Sequence, residues 1–102
     1  MKKMDNTEFH AGKVINEAER IAEQAYNAIS DKHRDWAKNG QSAGLVAGKT
    51  VTLTMTVAHY LISCMAENLR KAYRKEFSIA LLEETIDILK DELKDFKKKH
   101  GG

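Results

Sequence analysis

Residues 79–96 read IALLEETIDILKDELKDF, and this stretch decides the fold class. Ile79, Leu82, Ile86, Leu89, Leu93 and Phe96 recur at gaps of three and four, which places all six on one face of a helix. Glu83, Glu84, Asp87, Lys90, Asp91, Lys94 and Asp95 fill most of the positions between them and suit the opposite face to water. An apolar stripe of that length needs another helix to cover it. The chain is therefore expected to be all-α and to live by helix packing.

Upstream, the same periodicity recurs twice. Val14, Ile15, Ala18, Ile21, Ala22, Ala25, Ala28 and Ile29 form an amphipathic stripe that Trp36 prolongs. Asp5 with Glu8 three residues on has the spacing of a capping box, and Asn39-Gly40 is a C-terminal stop. A first helix over 6–38 follows from these signals. Thr50 to Val57 alternates Thr-Val-Thr-Leu-Thr-Met-Thr-Val, the pattern of a half-buried strand. A lone strand has no partner here. Met55, Ala58, Ile62, Met65 and Leu69 then keep helical spacing, so the segment is read as helix, with Val57, Leu61 and Cys64 widening its apolar side.

The expected architecture is a single domain over 1–102, an elongated three-helix bundle with two long helices and a shorter third. The helices are placed at 6–38, 45–75 and 78–99, with Ser78 as cap of the last. Glu76-Phe77-Ser78 is a weak break without Gly or Pro, so one continuous helix from 45 to 99 is the alternative. The wide stripe on the central helix suggests completion by homodimerisation.

Composition narrows the function classes. Proline is absent from the 102 residues, 31% are charged, and the net charge of +2 does not by itself imply a polyanion partner. One cysteine, Cys64, leaves no intrachain disulfide; it is expected to be a small buried hydrophobe. The opening residues lack the apolar run of a signal peptide, and 43–65 carries Lys49, His59 and four threonines, too polar for a membrane span. A cytoplasmic protein without membrane contact is expected.

Gly48-Lys49-Thr50 matches the end of a phosphate-binding loop, but position 43 holds Ala43 instead of glycine and no strand precedes it. What remains is a loop over 44–50 where Gly48, Lys49 and Thr50 hold a nucleotide or small anion. Glu83, Glu84 and Asp87, with Glu17, Glu19 and Glu23, resemble the acidic helices of all-α nucleotide pyrophosphohydrolases. That resemblance implies Mg²⁺ held by carboxylates in a cleft. Against it, Lys90 and Lys94 stand at salt-bridge spacing from the acids. His10, His33, His59 and His100 are scattered, and no metal, cofactor or catalytic residue is assigned. The Trp36-Ala37-Lys38 sequence departs from the Trp-x-Gly turn of small secreted helical hairpins.

Basic clusters at Arg70-Lys71, Arg74-Lys75 and 97–100, with Lys32, His33 and Arg34 near Trp36, make nucleic-acid binding a further alternative. The favoured expectation is a non-enzymatic helical interaction protein, a regulator, inhibitor or adaptor of the bacterial or phage type. It would self-associate and engage a protein partner through Trp36, Tyr60 and Tyr73, with Arg70 and Arg74 beside them, because interface hot spots favour these types. Trp36 and Tyr60 plugging the ends of the bundle is the competing reading.

Overall fold

The computed structural model describes residues 11–101. They form three helices, α1 (Ala11–Lys38), α2 (Ala43–Ala72) and α3 (Lys75–His100), and no strand occurs among them. The threonine-rich stretch 50–57 is helical, as the downstream spacing predicted. Its hydroxyls explain how: Thr50 Oγ1 donates to the carbonyl of Val46 and Thr54 Oγ1 to that of Thr50, each at 2.8 Å. Bonding back one turn satisfies a polar group that would otherwise favour extended backbone. The proposed Asp5–Glu8 capping box lies outside the described residues.

Asn39-Gly40 ends α1 as expected. The Asn39 N–H reaches the carbonyl of Asp35, the Gly40 N–H reaches that of Ala37, and Gly40 adopts φ 77°, a left-handed conformation that a side chain would strain. The loop then ends earlier than expected. Ser42 Oγ accepts the N–H of Leu45 at 3.3 Å, the Val46 N–H bonds the Ser42 carbonyl, and α2 begins at Ala43. The expected start at 45 is corrected by a serine cap, a signal overshadowed by the neighbouring glycines.

A second correction concerns the junction of α2 and α3. The continuous helix is excluded, because Arg74 takes extended backbone (φ −134°, ψ 154°) and caps α3 from there. Ser78 is not the cap. It lies in the first turns of α3, buried, and its hydroxyl donates to the carbonyl of Ala66 across the junction. At the far end Gly101 takes φ 67° and its N–H bonds the Lys97 carbonyl, while Lys97, Lys98, Lys99 and His100 lie where the helix dipole is negative.

The chain divides into two compact units, Met1–Thr54 and Met55–Gly102. In the first, Ala25, Ile29 and Trp36 of α1 are partly covered, as are Lys49, Thr50 and Leu53 of α2, and Val46 is buried at 5% exposure. In the second, Ile62, Ala66 and Leu69 of α2 match Ser78, Leu81 and Thr85 of α3 as the covered positions, with three- and four-residue gaps on both helices. The six-residue seam of α3 is not among them. Its members are 43–60% exposed.

Among the described residues, α2 is the one helix long and apolar enough to cross a membrane by length and composition. Most of its surface is open. Cys64, expected to be buried, is exposed.

Helical backbone over 44–50 has a measurable consequence. Gly48 lies inside α2, and a Cβ built there meets nothing within 4 Å. Gly48→Ala is expected to raise stability by about 0.5–1 kcal/mol, because alanine loses less backbone entropy in a helix. Thermal or urea unfolding measures it. A loss of stability would mean that the segment needs glycine in a non-helical conformation.

Candidate functional site

Three of the five residues proposed for partner contact meet at the α2–α3 corner. The chain turns at Tyr73 and Arg74, the last residue of α2's final hydrogen bond (Tyr73 N–H to the Leu69 carbonyl) and the cap of α3. Tyr73 and Phe77 stand four positions apart, and their rings meet edge-on with centroids 6.1 Å apart. Arg74 lays its guanidinium over the face of Phe77, 5.7 Å from the ring centroid. Arg70, one turn before, makes a two-pronged ion pair with Glu67, its Nε 3.0 Å from Oε1 and its Nη2 on Oε2. The corner therefore presents two aromatic rings and two guanidinium groups together, and Tyr73 is 67% exposed.

Phe77 was missed in the sequence. The signal was available in the four-residue spacing of Tyr73 and Phe77, but without a Gly or Pro the corner itself could not be placed. Tyr60 is 68% exposed and lies about 15 Å up the helix from Arg70 by rise per residue. It does not join the corner. Trp36 belongs to the other unit, partly covered, with the Lys49 ammonium 5.2 Å from its ring centroid.

That contact bears on the proposed anion residues, which lie within a helix and not in a loop. Gly48, Lys49 and Thr50 are in the second turn of α2, where backbone N–H groups bond carbonyls one turn back. No N–H cradle is left to face a phosphate. Lys49 lies over an indole, and the Thr50 hydroxyl donates to Val46.

Among the described residues no three His, Cys, Asp or Glu side chains come together to hold a metal ion. Glu17, Glu19 and Glu23 lie on α1, in the first unit; Glu83, Glu84 and Asp87 lie on α3, in the second. Of the basic clusters, Arg34 is paired with Asp31 and Arg70 with Glu67, both exposed pairs three residues apart. Such pairs hold a guanidinium in place at little energetic gain, so each can be exchanged for another anion. Comparison with protein-family models, with curated proteins and with solved structures gave no match for this chain.

The Arg70 guanidinium, chiefly by its hydrogen bonds and then by its charge, holds the Glu67 carboxyl below the ordinary carboxylate range. A carboxyl with a lowered folded value favours the folded pairing above its unfolded value and loses that contribution as pH falls through the folded one. Carbon-detected NMR titration should therefore find the Glu67 midpoint rising in Arg70→Gln. An unchanged midpoint would mean that the pair does not persist in solution.

Proposed function

We propose that this chain is a non-enzymatic interaction protein, a helical bundle completed by a second copy, that acts by docking a protein partner on an exposed helix face. The observation that carries this reading is where its apolar surface lies. Among the described residues Val46 alone is a buried hydrophobe, while large apolar side chains on all three helices stand in water, from Val14 and Ile21 through Leu61 and Met65 to Leu89 and Phe96. Soluble chains that leave continuous apolar stripes open use them to bind.

The α2–α3 corner is the favoured contact for the partner. Tyr73, Phe77, Arg70 and Arg74 are the residue types that dominate binding energy when an interface closes over them. The cation over Phe77 and the Glu67 pair hold the arginines before a partner arrives, which reduces the ordering cost of association. A regulator, inhibitor or adaptor needs such a surface and no catalytic group.

Co-purification from the native host, quantified by mass spectrometry for the full chain and for a Tyr73→Ala/Arg74→Ala variant, tests the contact. The expected result is a specific protein recovered with the parent and reduced tenfold or more with the variant, at unchanged helical circular dichroism. Equal recovery would remove the corner from the interface. Two other classes are separated in parallel. A nucleic-acid binder would lose affinity steeply between about 50 and 200 mM salt. A chain that inserts α2 into lipid would float with vesicles, whereas the interaction reading expects it in the soluble fraction.

A further inference from the structure

Helix α3 carries two different faces, and the charges along their borders differ in kind. With Ile79 taken as position a of a heptad, Ile86 and Leu93 are also at a, and Leu82, Leu89 and Phe96 are at d. One border of this seam, position g, begins with Ser78 and Thr85 and continues with Glu92 and Lys99. Ser78 is buried and Thr85 partly covered, and Ser78 bonds the Ala66 carbonyl of α2, so the first half of this border is already used within the chain. The opposite border, position e, reads Glu76, Glu83, Lys90, Lys97 in order. All four are exposed, and none enters an ion pair among the described residues. Two acids followed by two bases, evenly spaced, is a charge pattern that is its own complement when reversed.

We infer that the α3 seam binds the α3 seam of a second copy in antiparallel orientation, about a twofold axis that passes between Ile86 and Leu89. This rests on the self-association in the reading above and specifies its surface, direction and register. In antiparallel pairing a residues face d residues of the other helix. Ile86 meets Leu89 of the second copy, Leu82 meets Leu93, and Ile79 meets Phe96. The e borders then run side by side. Glu83 faces Lys90 of the second copy, Glu76 faces Lys97, and the twofold axis repeats both, so all four encounters join opposite charges. On the g side Thr85 comes opposite Glu92 and Ser78 opposite Lys99, with no like charges facing.

Parallel pairing is poorer in its charge matches. It sets e against g, so Glu83 would face Ser78 and Lys90 would face Thr85, which leaves only Lys97 and Glu92 as an attractive match. Charge complementarity along the open border selects the antiparallel orientation.

Sedimentation equilibrium on the full chain tests the inference through charge exchange. Glu83→Lys and Lys90→Glu, each alone, turn two symmetric encounters repulsive and should raise the dimer Kd about tenfold at low salt, less at about 1 M salt. The Glu83→Lys/Lys90→Glu double variant restores opposite charges and should return to within about threefold of the parent. For direction, a nitroxide on Lys98→Cys in a Cys64→Ser background should give an interlabel distance of about 30 Å or more, from a 1.5 Å rise per residue. A parallel pair would bring the two labels to less than about 20 Å.

A parent that self-associates while the single variants change nothing, or while the double variant fails to recover, overturns the antiparallel register and leaves self-association standing. A short label distance does the same. A parent that stays monomeric at every concentration overturns both, and amide exchange along 79–96 then tells whether α1 has taken the seam.

Discussion

Water will not tolerate the long apolar faces of these helices unless something covers them, and every other feature of the chain is arranged around that demand. Full burial of one large aliphatic side chain is worth about 1.5–3 kcal/mol. The six seam residues of α3 are each roughly half exposed, so several kcal/mol of burial is still to be gained on that face alone. That is comparable with the whole net stability of a small domain, about 5–15 kcal/mol. A chain of three helices joined by two tight corners, with Val46 as its buried hydrophobe among the described residues, gains little from burial. Under the proposed reading, association would supply the missing cover, and coupling folding to binding in this way would make a partner part of the structure.

The corners matter because they fix which faces stay open. At the first, Gly40 in a left-handed conformation and the Ser42 cap reverse the chain within four residues. At the second there is neither glycine nor proline. Extended backbone at Arg74 is held instead by contacts around it: the Tyr73–Phe77 edge, the guanidinium over Phe77, and the Ser78 hydroxyl on the Ala66 carbonyl. The contacts that turn the chain also gather aromatic and arginine side chains at its surface. A surface built on the device that sets a corner is held in shape without a core beneath it.

How much of this could be read from residues alone depended on the range of the determining interaction. Three- and four-residue spacing is local, so the three helices and the stop at Gly40 were legible. The helical state of 50–57 was legible only from its continuation in Met55, Ala58 and Ile62, because threonine alternation by itself says strand. The start of α2 was misread, since Gly44 and Gly48 suggest a loop to any reading that overlooks the cap at Ser42. The α2–α3 corner was not legible in position: it depends on a hydroxyl finding a carbonyl twelve residues away and on two rings meeting edge-on. The exposure of Cys64 was likewise missed, because a broad apolar stripe does not say which of its sides will be covered.

The seam raises the most instructive discrepancy. The strongest periodic signal in the chain was expected to be covered by another helix, of this chain or of a second copy, yet within the chain α2 covers only the border next to it, through Ser78, Leu81 and Thr85. The reason lies in size and polarity. Serine and threonine are short and satisfy their hydroxyls on nearby carbonyls, Ser78 across to Ala66 and Thr85 back to Leu81, so the two helices can approach without stranding a polar group. Glutamate and lysine at those positions would have to be desolvated against α2, at a cost that their pairing seldom offsets. They are found on the far border, where water remains and where charge can choose a partner instead of merely surviving one. Small neutral residues where α2 packs, and charged ones along the open border, are what a helix needs if it must pack twice, once within its chain and once outside it.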